Sequence, residues 1–134
     1  MPHRRFPGRV VLGVTLLAAC STSGPVTLQG CRGQVAVAVT EGTVPTFSWT
    51  PECLMSEIVV ARVSDDSVMW RFGHSTAPSD EVIRPPISYG VTQPGVVSTT
   101  AQDLQTGTEY LVLVLSVDIV NGGGYLHGEA SFTP

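Results

Sequence analysis

The sequence predicts an all-β domain, an antiparallel β-sandwich of about seven strands. Three observations carry that prediction. Beyond residue 30, runs rich in β-branched and aromatic residues recur, each bounded by Gly, Pro, Asp or Asn. None of them shows the three-and-four spacing of apolar residues that marks a helix. Residues 20–134, 115 in number, suffice for one domain with a core of its own.

Taken in order, residues 34–40 alternate valine and alanine, the period of a strand. Residues 46–49 follow Pro45 and stop at Thr50-Pro51. Residues 57–64 and 67–72 are two β-rich runs joined by Asp65-Asp66, which predicts a hairpin. Residues 96–101 predict another short strand. Residues 110–120 form the longest run. Residues 125–133 close the domain after Asn121-Gly122-Gly123-Gly124, a hairpin turn rather than a phosphate cradle, because no helix follows it. The stretch 73–102 holds prolines at 78, 85, 86 and 94, so irregular crossing segments or a broken edge strand are expected there.

Two motifs add a resemblance. Pro45-Thr46-Phe47-Ser48-Trp49-Thr50-Pro51 resembles the second strand of fibronectin type III domains, with Trp49 as the core tryptophan. Leu104-Gln105-Thr106-Gly107-Thr108-Glu109-Tyr110 resembles the corner before strand F of that family. There the leucine fills the core and the tyrosine ties its hydroxyl to the chain a few residues upstream. The resemblance covers roughly residues 31–134. It implies an immunoglobulin-like sandwich with one sheet ordered 67–72, 57–64, 110–120, 125–133. The cysteine pair and the proline-rich middle depart from the family pattern.

The first nineteen residues have a separate logic. Arg4, Arg5 and Arg9 precede an apolar stretch over 10–19, which ends in Leu17-Ala18-Ala19-Cys20. A basic start, a short apolar run and small residues are the layout of a secretory signal. The run falls well short of the roughly 20 residues a membrane span needs. Its last four residues resemble the lipobox of bacterial lipoproteins. That resemblance implies cleavage before Cys20, lipidation of Cys20, and attachment to a membrane by acyl chains, each buried methylene contributing about 0.8 kcal/mol. With Ser21 next, it implies the outer membrane in organisms that have one. Residues 20–30 then read as a lipidated, flexible tether, and 31–134 as the domain.

With Cys20 assigned to lipid, Cys31 and Cys53 remain as an even pair in an exported compartment, where a disulfide is expected. Closing a loop of about 22 residues contributes on the order of 3 kcal/mol. A metal site is the alternative, although no matching histidine pair accompanies the two thiols. Residues 20–134 carry all eleven acidic residues, four arginines and no lysine, a formal charge of −7 against −4 for the whole chain. Such a surface repels phosphate backbones, which argues against nucleic acid as a partner.

No G-x-S-x-G elbow, phosphate loop or His-Glu helix motif is present, so no catalytic residue, metal or cofactor is expected. His74 and His127 fall about 14 Å apart on the implied sheet, at three strand spacings, and are expected on the surface. Asp65-Asp66 and Asp80-Glu81 are read as turn caps and solvated neighbours, a loop calcium site being the alternative.

The candidate site lies elsewhere. In the run 110–120, Tyr110, Val112 and Val114 share one face, while Leu111, Leu113, Leu115 and Val117 share the other. Only one face can meet the opposite sheet. A corner tyrosine faces inward and so sends the leucines outward. The run 57–64 repeats the pattern, with Ile58 and Val60 against Val59, Ala61 and Val63. An outward apolar patch is expected, comprising Leu111, Leu113, Leu115, Val117, Val59 and Val63, and such patches mark contact surfaces. The alternatives are that the stretch 73–102 folds over it, that long side chains such as Arg62 and Arg71 shield it, or that the strand register differs. The loop around Asn121 and Tyr125 is a second candidate. The expected function is a non-catalytic interaction module of the cell envelope, bound to another envelope protein or to itself. A passive spacer is the alternative.

Overall fold

In a computed structural model of the chain, the described residues are 24, 27–73, 82–118 and 123–134. The signal segment, Cys20, most of the tether, His74, Asp80, Glu81 and Asn121 lie outside them. Among the described residues there are seven strands and no helix: β1 (Ala36–Val39), β2 (Thr46–Thr50), β3 (Glu57–Arg62), β4 (Val68–Phe72), β5 (Ile87–Ser88), β6 (Tyr110–Asp118) and β7 (Gly123–Phe132). They form two antiparallel sheets, β1-β2-β5 and β4-β3-β6-β7. The predicted all-β sandwich is present, and the order of the larger sheet is the expected one.

Strand alternation builds the core. In β2, Phe47 and Trp49 are buried, while Thr46 and Ser48 are half-buried and Thr50 exposed. The larger sheet answers with Ile58 and Val60 of β3, Trp70 and Phe72 of β4, and Tyr110, Val112 and Val114 of β6, all fully buried. Trp70 sits where the layers meet. Its ring lies 5.3 Å from Phe72 and 6.4 Å from Phe47 of the opposite sheet. Burying aromatic rings of this size supplies much of a small domain's apolar stabilisation.

The turn between β3 and β4 is held by its own aspartate. The Asp65 carboxylate accepts the Ser67 hydroxyl at 2.7 Å and the Ser67 backbone N–H at 3.2 Å, and pairs with Arg62. The bonds from Ser67 come first among the causes that hold this carboxyl below its ordinary value. Asp66 takes the left-handed conformation, with φ of 55°. At the corner before β6, the Gln105 N–H donates to the Tyr110 hydroxyl at 2.9 Å, and Leu104 is buried beside it.

The middle of the chain departs from expectation at one point. Residues 96–101 do not form a strand, although they run along the edge of β4. Gly73 donates to Val97 O, Thr99 to Arg71 O and Gln102 to Met69 O. The partners step by two residues on β4 but by two and then three on the crossing segment. That extra residue breaks the ladder. The broken edge strand is real and short: Ile87 and Ser88 pair with Phe47 and Thr46. Tyr89 then turns inward, and its hydroxyl donates to Gln102 O at 2.7 Å. Burial, and then the neighbouring Tyr110, push this hydroxyl up to about 12.

Cys31 and Cys53 form the disulfide, with Cα atoms 4.9 Å apart. The Trp49 indole donates to Cys53 O at 2.8 Å, so the bridge rests on the core tryptophan of β2. Gln29 and Gly30 are joined to the domain: the Leu54 N–H donates to Gln29 O, and Gly30 bridges to Leu54. Replacing Tyr110 by Phe should retain the fold and lower its unfolding free energy by about 1–2 kcal/mol, read by urea denaturation, since the Gln105 N–H loses its partner.

Candidate functional site

The outward side of the larger sheet is built in cross-strand rungs. One runs Arg71–Val59–Leu113–Glu129 across all four strands. A second runs Val68–Ala61–Leu111–Ser131, and a third Glu57–Leu115–Leu126. Directly opposed residues share a face, so Leu111, Leu113, Leu115 and Val59 lie on one side of the sheet. Val117 continues the row opposite Gly124. Val63 lies just past the end of β3, 44 % exposed, with its N–H on Glu109 O.

The patch is less open than its composition suggests. Leu111, Leu113, Leu115 and Val117 are half-buried, and Val59 is buried. The rungs show why: Arg71 and Glu129 flank Val59 and Leu113, and Leu126 flanks Leu115. Glu57, buried on this face, pairs with Arg71 and so draws that arginine along the row. The other sheet provides an internal contrast, since β2 turns Thr46, Ser48 and Thr50 away from the core where β6 turns leucines.

The end of the sandwich nearest the disulfide is polar. On β6 the inward series Tyr110, Val112, Val114 continues with Ser116. Opposite it, β7 carries a bulge at Val114/Leu115, where Gly128 and Leu126 are consecutive partners and His127 is the inserted residue. The expectation of a surface histidine is overturned here. His127 is 2 % exposed, because the inserted residue reverses the phase of the strand and turns the ring inward. Its Nδ1 lies 2.7 Å from Gly33 O and its Nε2 2.9 Å from Ser116 Oγ. A carbonyl only accepts, so Nδ1 carries the hydrogen and donates to Gly33 O. Tyr125, 52 % exposed, stands edge-on to the imidazole at 4.7 Å.

His127, Ser116, Tyr125, Arg32 and Cys31 line a cavity of about 240 Å³. A second cavity of about 310 Å³ lies between the β1–β2 connection at Val44 and the segment at Gln102. Among the described residues no cluster of three metal-ligating side chains occurs. Of the loop candidates, Tyr125 borders the polar end and Asn121 lies outside the described residues. Strand alternation alone points Ser116 inward; the burial of His127 depends on the bulge, which carries no local sequence signal. No known family model matches the chain, and no curated protein or solved structure matches it either.

Close approach at this end requires glycine. A Cβ on Gly128 would lie 2.7 Å from Val35 O and 2.9 Å from Val37 Cγ2. Val35 donates its own N–H to His127 O, which fixes the start of β1 against β7. Gly128→Ala should therefore destabilise the domain by about 1–3 kcal/mol in chemical denaturation, and should broaden the NMR signals of His127 and Ser116 before those of the aromatic core.

Proposed function

We propose that this chain is a lipid-anchored protein of the bacterial cell envelope whose fibronectin type III-like sandwich is a non-catalytic interaction module. The anchor reading is supported by Leu17-Ala18-Ala19-Cys20 behind a basic, apolar leader. Among the described residues no helix is long and apolar enough to cross a membrane. The strand order β4-β3-β6-β7 and the Tyr110 hydroxyl on the Gln105 N–H support the domain reading.

One observation carries the interaction reading: the row Leu111, Leu113, Leu115 on the solvent side of the central strand β6, against Val59 and Leu126 of its neighbours. The chemistry of that face fits a second copy of the chain. The rung Arg71–Val59–Leu113–Glu129 is cationic at one end, apolar in the middle and anionic at the other. Stacking two such faces about a two-fold axis parallel to the strands sets Arg71 opposite Glu129 of the partner subunit. It also sets Leu113 over the partner's Val59, the self-complementary contact of an isologous dimer.

Sedimentation of the full chain in a non-ionic detergent should show reversible dimerisation. Leu113→Glu should abolish it while leaving the thermal unfolding midpoint nearly unchanged. A monomer at all concentrations would overturn the second-copy reading. Unfolding by Leu113→Glu would place this face in the core. Cys20→Ser should release the protein from the membrane fraction of producing cells, and retention there would overturn the anchor.

A further inference from the structure

The polar end of the sandwich holds a feature that the outward face does not explain. A histidine buried to 2 % exposure and fixed through both ring nitrogens lines an open cavity beside the disulfide. Cys31, held by its bridge to Cys53, and Arg32 next to it in the chain line the same cavity. Much of the lining is fixed by the fold: the β6–β7 ladder and the β7 bulge set His127 and Ser116, while the disulfide and the Leu54 backbone set residues 29–31. A site organised before binding loses little entropy when a ligand arrives.

Arg32 gives the cavity its ligand chemistry. Arg62 pairs with Asp65 and Arg71 with Glu57, but Arg32 makes no ion pair among the described residues. Arg84 is also without one, yet it lines neither cavity. Residues 20–134 hold eleven acidic side chains against four arginines, so an arginine with no ion pair among the described residues, lining a concave site, stands out against its surroundings. We propose that this cavity binds an organic carboxylate, with Arg32 as the charge partner, the Tyr125 ring as the apolar wall and the Ser116–His127 pair as the fixed floor.

A planar guanidinium matches a carboxylate through two parallel N–H bonds. The negative field of the domain selects against dianions such as phosphate, whose repulsion is about twice that of a carboxylate. At about 240 Å³ the cavity admits a small acid or the last residue of a peptide, below the roughly 300–1,000 Å³ typical of drug-sized ligands. The site stands apart from the outward face of β3 and β6, and its test is independent of the lipid anchor.

The test is an NMR titration of the full chain in a non-ionic detergent, at constant ionic strength, with N-acetylglycine, sodium acetate and inorganic phosphate as separate probes. N-acetylglycine should give saturable shifts at Arg32, Ser116 and His127, with a dissociation constant around the millimolar range. Acetate should shift the same residues more weakly, since it offers Tyr125 less to cover. Arg32→Gln should weaken binding about tenfold or more with no change in thermal midpoint, whereas Arg84→Gln should leave it unaltered. Three results would overturn the proposal: shifts that never saturate, Arg32→Gln binding as tightly as the parent protein, or phosphate binding as well as N-acetylglycine.

Discussion

Trp70 is the residue on which this sandwich depends. Fully buried, it stacks on Phe72 of its own strand and reaches Phe47 of the opposite sheet; Tyr89 of the crossing segment meets it edge-on at 5.3 Å. Its indole donates to Ser98 Oγ at 3.1 Å. Both sheets and the irregular chain between β5 and β6 thus converge on one ring. Without it the 82–102 segment would lose the surface it packs on, the edge of β4 would lose its cover, and the two layers would lose their central contact. Large aromatic cores tolerate truncation poorly, typically by about 3–5 kcal/mol for a tryptophan.

From that centre the domain differs at its two ends and on its two sides. Towards the corner, Tyr110 and Leu104 close the core with an apolar contact and one backbone bond. Towards the disulfide, the inward series of β6 ends in Ser116, and the core gives way to a hydrogen-bonded polar wall with His127. On the outward side, β2 follows the usual apolar-in, polar-out rule, whereas β6 is apolar on both faces. A strand that is apolar on both faces suits a sheet covered on both faces. That asymmetry is what supports the proposed interaction role, in which a two-fold stacking would give β6 its second cover.

Much of this was legible in particular residues. The Thr-Phe-Ser-Trp alternation gave the buried pair of β2, and Tyr110 fixed which face of β6 turns inward. The disulfide followed from an even cysteine count once Cys20 was set aside. Two features were not legible, each for a reason of non-local geometry. Trp70 looked like one strand residue among several, because Tyr89 and Ser98, which define its role, lie 19 and 28 residues away. His127 looked superficial, because one inserted residue in β7 reverses the phase of the strand beyond it. That a long side chain such as Arg71 flanks the patch was open to the sequence; that it shares a rung with Leu113 and Glu129 rests on the register of three strand pairs.

Side-chain hydroxyl-radical footprinting read by mass spectrometry tests the proposed contact role of the outward row of β6 most directly. The full chain would be compared at low and high concentration, with Val44 and Val97, 68 % and 64 % exposed, as references away from the face. Oxidation of Leu113 and Leu115 should fall as concentration rises, while that of Val44 and Val97 stays constant. Equal reactivity of the leucines at every concentration would contradict the account, because it would mean that no second copy covers them.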